Sequence, residues 1–278
     1  MNQVIVFFGG IGDTILFSPA VKQLSRRGEI TFVGYPERLA ILRSAGWVKN
    51  IYSPEQVDFE TIFSKPSDKL KIFLSQFAKA YFLIRDAQRI VEVAKDCGVK
   101  DIVAIPGIPP DNWDRHASEY YLSSLNLEME DDFIIPVQSS FIHSKIVIHP
   151  GSGSSKKNLP LQFFIDITAH FLSLGKELAW CLGPAEEDVM PPNGIEILRN
   201  VPLSTLAQFI KSAPLYIGND CGISHIAGAV GTPTIVLFKS TNPVVWKPLG
   251  PHVFPIIANG DPFQQVLYIV QGVLSVSK

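Results

Sequence analysis

The chain has few charged residues and no excess of either sign. Lys and Arg together number 24 and Asp and Glu 26 among 278 residues, which gives a formal net charge of −2. A general nucleic-acid-binding protein usually carries a clear basic excess. The charge balance therefore argues against that class and predicts no nucleic-acid partner.

Cysteine and recognisable metal-binding motifs are also scarce. Cys97, Cys181 and Cys221 lie far apart without a CxxC pair, which argues against a disulfide framework or a structural zinc site and favours a reducing compartment. The chain contains no HExxH, no DxD pair placed to clamp a metal and no G-x-S-x-G elbow, and its histidines are scattered. We expect no metal site, no bound cofactor and no serine-hydrolase triad.

Long apolar runs are missing as well. None approaches the ~20 residues that a membrane-spanning helix needs. The first ten residues, MNQVIVFFGG, lack the charged region and cleavage site of a signal peptide. We expect a cytoplasmic protein, and this pattern leaves peripheral docking on a membrane surface open.

What the chain does have is a core-forming composition, with 46% hydrophobic and 18% charged residues. Short apolar runs alternate with segments of helical period, which is typical of a parallel α/β sheet. Two strands, at Val4–Phe8 and Lys145–His149, end in a glycine-rich turn before a helix. We predict two Rossmann-like halves, with the ligand site in a cleft outside the carboxyl ends of their strands. Pro19 predicts a distortion or a late start of the first helix, placed at Thr14 to about Arg26.

The first turn, Gly9–Thr14, reads GGIGDT and contains an acid where the chain enters the helix. Asp13 could cap the helix by accepting a backbone N–H, or it could act as a general base toward a hydroxyl. The sequence departs here from the dinucleotide-binding fingerprint GxGxxG, because Ile15 stands where the fingerprint has its last glycine. This departure argues against a nicotinamide-dependent oxidoreductase.

The second turn reads HPGSGSSKKNLP and runs from His149 to Pro160. Exposed N–H groups and a helix N-terminus can form an anion nest, and two consecutive lysines add positive charge. The alternative is a flexible surface turn. The lysines favour phosphate binding, with Ser152, Gly153 and Ser154 in the nest, although the GK[ST] ending of a Walker A loop is missing.

Two further strand ends carry acids. In IGNDCGISHIAG, Asp220 and His225 stand on either side of a helix start, where a diphosphate could bind; His225 could equally be a buried core histidine. In LGPAEEDV, Glu186 and Glu187 could accept ribose hydroxyls or serve a helix dipole.

Basic side chains in the first half suggest a possible acceptor region. Arg85, Arg115 and His116 could face an anionic acceptor, or they could belong to an ordinary solvated surface.

Taken together, four segments resemble bacterial glycosyltransferase family 9, whose best-known members are ADP-heptose:lipopolysaccharide heptosyltransferases. They are GGIGDTILFSPAV, HPGSGSSKKNLP, LGPAEED and GNDCGISHIAGAVGTPTIVLF, in the family's order from Val4 to about Pro251. The resemblance implies the GT-B architecture, with two Rossmann-like domains facing a central cleft. We expect an acceptor domain over 1–138, a nucleotide-sugar domain over 139–262 and a C-terminal helix over 263–278 that returns toward the N-terminal domain.

The resemblance also implies roles for individual residues. Asp13 matches the aspartate of the GxGD element, the catalytic base, and Gly12 precedes it at the donor site. Lys157 matches the phosphate-binding lysine, and Glu186 or Glu187 would hold the ribose. The family's D-x-G-x-S-H element, which surrounds the diphosphate and sugar, matches Asp220, Cys221, Gly222, Ser224 and His225.

Three positions depart from the family pattern. Leu159 replaces the usual Trp, Cys221 stands where Thr is common, and Lys239-Ser240-Thr241 replaces a G-P-T turn.

The resemblance predicts an inverting, metal-independent glycosyltransferase. It would move a sugar, heptose from ADP-heptose being the family's donor, to a saccharide or lipid-linked acceptor of lipopolysaccharide or another surface glycan. The protein would be cytoplasmic and could touch the cytoplasmic face of the inner membrane. The alternative is a catalytically silent homologue that binds nucleotide sugars.

Overall fold

A computed structural model describes residues 2–85, 87–130 and 133–276. The chain divides into two compact units, one ending at Glu130 and the other comprising the residues after it. The predicted domain boundary at 138/139 lies a few residues further along the chain. Residues 277 and 278 of the predicted C-terminal helix lie outside the described residues.

The first unit is built on a five-stranded parallel sheet with the strand order β3-β2-β1-β4-β5. Its strands are β1 Gln3–Phe7, β2 Ile30–Val33, β3 Asn50–Tyr52, β4 Lys79–Leu83 and β5 Asp101–Ile105. Its helices are α1 Ile11–Ser25, α2 Pro36–Ser44, α3 Asp68–Leu74, α4 Ala87–Asp96 and α5 Ala117–Ser124. Because β1 lies in the middle of the sheet, the turn that follows it is at the centre of the carboxyl edge.

The start of α1 was predicted wrongly. The helix begins at Ile11 rather than Thr14 and continues through Pro19. Proline lacks the N–H that would bond the carbonyl of Ile15. The hydroxyl of Ser18 donates to that carbonyl instead, at 2.5 Å, so the helix loses little at this point.

The second unit is built on a six-stranded parallel sheet with the strand order β11-β10-β9-β6-β7-β8. Its strands are β6 Ile146–His149, β7 Leu178–Leu182, β8 Glu196–Arg199, β9 Tyr216–Asn219, β10 Thr234–Phe238 and β11 Val253–Ile257. Its helices are α6 Leu161–Ser173, α7 Leu203–Lys211, α8 Gly222–Ala229, α9 Pro243–Trp246 and α10 Phe263–Val276. The predicted α/β class with two Rossmann-like domains is confirmed.

Each sheet is covered by apolar helix faces. In the second unit Phe164, Ile167 and Trp180 are fully buried between α6 and the sheet. Helix α10 packs on the same core through Val266 and Val270, so its apolar face is used within the second unit. The predicted return of this helix toward the N-terminal domain stays a prediction. No helix in the described part of the chain is both long and apolar enough to cross a membrane.

The strands that the sequence did not predict, β3, β8 and β11, all lie at an edge of their sheet. Strands β3 and β8 have partly exposed residues in place of an apolar run. Helix α5 begins at Ala117, because the Nδ1 of His116 accepts the N–H of Ser118 and so caps the helix.

Candidate functional site

Four neighbouring strands of the second sheet, β10, β9, β6 and β7, end side by side at one edge. The segments that follow them carry the predicted donor residues. They are residues 150–159 after β6, 183–187 after β7, 220–225 after β9 and 239–241 after β10. The carboxyl edge of a parallel sheet is where open α/β folds bind ligands.

Residues 150–159, which we call the lysine loop, lead from β6 to the N-terminus of α6. The hydroxyl of Ser152 is used inside the loop: it accepts the N–H of Ser154 at 3.2 Å and donates to the Ser154 carbonyl at 2.7 Å. Gly153 and Ser154 are exposed. The loop therefore has an ordered frame and an accessible tip, as an anion nest requires.

Lys157 points toward Asp220, a buried carboxylate that accepts hydrogen bonds from more than one side chain. Lys157 Nζ lies 2.8 Å from Asp220 Oδ2, and the hydroxyl of Thr241 donates to the same oxygen at 2.6 Å. The Asp220 side chain is 2% exposed and that of Lys157 35%. Burial by itself would raise the pKa of Asp220, but the neighbouring His225 ring and the hydrogen bonds from Lys157 and Thr241 outweigh it and lower the pKa to about 2. Asp220 is therefore ionised near neutral pH, and Oδ2 is occupied by two donors.

His225 lies on the other side of the same carboxylate. Its Nε2 is 3.7 Å from Asp220 Oδ1, and the side chain is almost fully buried. Its Nδ1 is buried and has no hydrogen-bond partner among the described residues. A buried polar atom without a partner is costly, so this nitrogen is available to a ligand.

Glu186 and Glu187 differ sharply in their surroundings. Glu186 is buried, and its Oε2 accepts the N–H of Gly183 at 2.8 Å. Its other oxygen lies against Gly151 of the lysine loop, where a Cβ atom would come within 1.8 Å of it. Glu187 is exposed. Only Glu186 therefore lies next to the lysine loop.

Two members of the predicted set, Ser224 and Cys221, belong to a buried polar cluster with Tyr216. Ser224 is fully buried and donates to the carbonyl of Asn219 at 2.6 Å, and its hydroxyl lies 3.1 Å from that of Tyr216. Cys221 precedes α8, which begins at Gly222. Burial would raise the pKa of the Cys221 thiol, but the neighbouring His149 lowers it. Ser224 thus supports the turn after β9, and its hydroxyl is not exposed toward solvent.

Sequence reasoning missed four residues that build this edge. Asn219 binds two backbone groups of the lysine loop, Lys239 Nζ donates to the carbonyl of Asn158 at 2.9 Å, and Thr241 donates to Asp220. Arg199 donates to the carbonyls of Glu186 and Glu187. Their only sequence signal was position, since three of them stand at or just after the end of a strand.

In the first unit, the turn after β1 presents Asp13 as the third residue of α1. Asp13 Oδ2 accepts the N–H of Gly10 at 2.9 Å, so Asp13 does cap the helix through a backbone N–H. Within the described residues this is the only hydrogen bond of the carboxylate, and the side chain is partly exposed. One carboxylate oxygen therefore stays available to a substrate proton. Gly12 is partly exposed in the first turn of the same helix.

Two neighbouring groups frame this turn. Arg38 donates to the carbonyl of Gly9 at 2.8 Å while stacking on Tyr35, with its guanidinium carbon 4.1 Å from the ring centre. Tyr121 is buried nearby and donates to the carbonyl of Gly107 at 3.0 Å. Burial raises the pKa of Tyr121, and the charge of Asp13 raises it further. Tyr121 therefore stays protonated.

The basic residues predicted for the acceptor side lie in two places. Arg85 is exposed just after β4, beside the end of β1 in the sheet. Arg115 stacks over Trp113, 4.5 Å from the ring centre, and lies 3.4 Å from Glu119. His116 caps α5. Arg85 is the one of these three that directly follows a central strand at the carboxyl edge.

Comparison with known proteins identifies relatives of the chain. The sequence profile of glycosyltransferase family 9 (heptosyltransferase) matches residues 114–263, which is more than half of the chain. A stretch of 84 residues is 33% identical to lipopolysaccharide heptosyltransferase 3 of Escherichia coli and covers 27% of this chain and 25% of that protein. A stretch of 109 residues is 33% identical to lipopolysaccharide heptosyltransferase 1 of Campylobacter coli and covers 34% and 32%. The chain thus matches about a quarter to a third of the length of these curated relatives.

Solved structures show the same fold along the whole chain. The ADP-heptose lipopolysaccharide heptosyltransferase II of E. coli superposes with a TM-score of 0.79 at 14% identity, over 100% of this chain and 99% of that one. A family 9 glycosyltransferase from Veillonella parvula DSM 2008 gives 0.74 at 17% identity, over 98% and 97%. An E. coli heptosyltransferase solved with ADP gives 0.71 at 13% identity, over 98% and 100%. The predicted GT-B fold class is confirmed, whereas the roles of individual residues stay predictions.

Proposed function

The chain belongs to glycosyltransferase family 9, and from this premise we propose that it transfers a sugar from a nucleoside diphosphate donor to a hydroxyl of a saccharide or glycolipid acceptor. The carrying observation is the Lys157–Asp220–His225 arrangement at the carboxyl edge of the second sheet. We propose ADP-heptose as the donor and a lipopolysaccharide precursor or another surface glycan as the acceptor. This choice is supported by the two curated relatives, which are both lipopolysaccharide heptosyltransferases.

The second unit would hold the donor. The tip of the lysine loop and the N-terminus of α8 offer N–H groups for the diphosphate, and Lys157 adds a positive charge. The exposed tip residues Gly153 and Ser154 fit this role, and Gly222 opens α8. Glu186 would accept the ribose hydroxyls, because it lies against the lysine loop while Glu187 is exposed.

The first unit would supply the base. Asp13 keeps one carboxylate oxygen outside its capping bond, and general bases act from within hydrogen-bond reach of the hydroxyl they deprotonate. The proton of the acceptor hydroxyl passes to Asp13, the acceptor oxygen bonds to the anomeric carbon, and the sugar–phosphate bond breaks with release of the nucleoside diphosphate. Attack on the face opposite the leaving group inverts the anomeric configuration.

Negative charge on the leaving diphosphate must be stabilised as the sugar–phosphate bond of the donor breaks. We assign this task to Lys157, His225 and the N–H groups at the helix start, which are fixed in place before the reaction. The protein then needs no divalent cation, and saturating EDTA should leave the initial rate unchanged. Loss of activity in EDTA that Mg²⁺ restores would contradict this part of the proposal.

A thermal-shift screen of nucleoside diphosphates and their sugars tests the donor class. A ligand that binds only the native state raises its stability in proportion to the logarithm of its concentration. We expect selective stabilisation by ADP and ADP-sugars over UDP, GDP and CDP. Equal stabilisation by all four, or by none, would contradict an ADP-sugar donor.

The alternative, a silent homologue that only binds nucleotide sugars, would give the same thermal shifts. The partly exposed carboxylate of Asp13 favours the enzyme, because a binding protein needs no base there. Release of ADP from ADP-heptose in the presence of a heptose-deficient lipopolysaccharide separates the two. A nucleotide-binding protein that releases no ADP with any tested acceptor would be the silent homologue.

A further inference from the structure

The lysine loop is rich in small residues and would be costly to order without an anchor. Residues 150–159 include Gly151 and Gly153 and three serines at 152, 154 and 155. Glycine loses more conformational freedom on ordering than any other residue, and closing a flexible loop adds an entropic cost that grows with its length. A ligand that had to order this loop would bind more weakly by that amount.

A single buried side chain joins the two ends of this loop. The Nδ2 of Asn219, the last residue of β9, donates to the carbonyl of Pro150 at 2.6 Å. Its Oδ1 accepts the N–H of Leu159 at 3.1 Å. The two anchored residues are the first and last of the loop, and Asn219 itself is 0% exposed.

The chemistry of these contacts requires a carboxamide. Proline has a carbonyl but no N–H, so the partner at Pro150 must donate, while the N–H of Leu159 needs an acceptor. Asparagine offers both, and its orientation is fixed by the two partners. An aspartate would place a second acceptor against the Pro150 carbonyl, and an apolar residue would leave both backbone groups without a partner.

The neighbouring strand adds a second anchor on the same loop. Lys239, after β10, donates to the carbonyl of Asn158, and Thr241 donates to the carboxylate that also binds Lys157. The loop is thus held at its ends by Asn219 and near Lys157 by the residues after β10.

We propose that Asn219 is a positioning residue: it closes the lysine loop into its binding conformation before the diphosphate of the donor arrives. This inference rests on the proposed function for the identity of the ligand. Asn219 itself is buried under the loop, so it acts through Lys157 and the loop N–H groups. If the lysine loop without the Asn219 contacts adopts the binding conformation about a tenth of the time, the apparent Kd for the donor rises about tenfold.

Asn219→Ala tests the proposal against a control of similar cost. Thr168→Val removes two buried hydrogen bonds of the same unit without touching the lysine loop: the one from Trp180 Nε1 to Thr168 Oγ1 at 2.9 Å and the one from that hydroxyl to the carbonyl of Phe164 at 2.7 Å. Calorimetric titration with ADP should show an affinity about tenfold weaker for Asn219→Ala and within about twofold of wild type for Thr168→Val. In transfer assays the loss should fall on KM of the donor, with kcat nearly unchanged.

Limited trypsin digestion gives a readout that needs no ligand. Lys156 and Lys157 lie within the loop, so cleavage after them reports its opening. Asn219→Ala should be cut there several times faster than Thr168→Val at equal thermal stability. If Asn219→Ala does not fold, Asn219→Ser, whose shorter side chain offers a single hydroxyl, takes its place.

The two outcomes that would overturn the proposal are distinct from a failure of the proposed function. Equal ADP affinities of the two variants, or equal cleavage rates in the loop at matched stability, would show that Asn219 does not position it. If the wild-type protein binds no nucleoside diphosphate, the proposed function fails, while the digestion still decides whether Asn219 closes the loop.

Discussion

Each unit has an aspartate between a central strand and the first turn of the next helix, yet the surroundings of the two differ. Asp13 accepts one backbone N–H from a residue three positions away and is partly exposed. Asp220 is buried and is approached by Lys157, Thr241 and His225 from three other segments of the chain. The first carboxylate has one oxygen without a hydrogen-bond partner among the described residues, and the second carboxylate is held ionised. The partners of a carboxylate, rather than its position in a motif, therefore set its chemistry.

Replacing Asp13 by Asn should give the largest effect. The amide oxygen can still accept the N–H of Gly10, so the helix cap is retained, but the base is lost. General-base catalysis contributes roughly 10²–10⁴-fold, and we expect kcat for transfer to fall by about 10³. ADP affinity, measured by calorimetry, should stay within about twofold of wild type. An active Asp13→Asn enzyme would remove the assignment of the base.

Replacing Lys157 by Met should affect binding rather than proton transfer. Hydrogen bonds to charged groups are worth about 1.5–3 kcal/mol, so ADP should bind roughly ten- to hundredfold more weakly. Lys156→Met is the matched control, because this exposed neighbour has no described contact with Asp220. If both variants lose the same affinity, the loss reflects total charge, and the specific role of Lys157 is wrong.

The low pKa of Asp220 predicts a pH-dependent stability. Its folded-state pKa of about 2 lies below the ordinary value of 3.8, so ionised Asp220 stabilises the native state above about pH 4. This contribution, about 2 kcal/mol in total, is lost as the pH falls toward 2, and roughly 1 kcal/mol is lost by pH 3. The free energy of unfolding, measured with urea at pH 6 and pH 3, should therefore decrease less for Asp220→Asn than for wild type. The same loss in both proteins would contradict the ionised, hydrogen-bonded Asp220.

The smallest expected effect concerns Glu186. Glu186→Gln can still accept the N–H of Gly183 but loses its charge toward the ribose, so ADP should bind roughly three- to tenfold more weakly. The exposed Glu187→Gln is the control and should bind ADP like wild type. The weakening should disappear when 2′,3′-dideoxy-ADP replaces ADP. A reversed pattern between the two variants would assign the ribose contact to Glu187.

The sequence predicted the parts of the fold that depend on local pattern. The central strands β1 and β6 are apolar runs ended by turn residues, and both were predicted within one residue of their bounds. The edge strands β3 and β8 are partly exposed, so their residues carry no apolar signal that separates them from loops.

The same limit applies to the site. Local motifs located Asp13, Lys157 and Asp220, but they could not distinguish a free carboxylate from a paired one. Thr241 and Lys239 bind partners that are 21 and 81 residues away along the chain. Contacts of this kind depend on the order of strands in the sheet, which no single segment encodes.

Photolabelling with 8-azido-ADP, followed by mass spectrometry of the labelled peptides, tests most directly that the second unit binds the donor nucleotide. We predict labelled peptides from the residues after Glu130, at the segments that follow β6, β7, β9 and β10, and loss of the label when unmodified ADP is present in excess. Labelling only of residues before Glu130, or labelling that excess ADP does not displace, would show that the second unit does not bind the nucleotide.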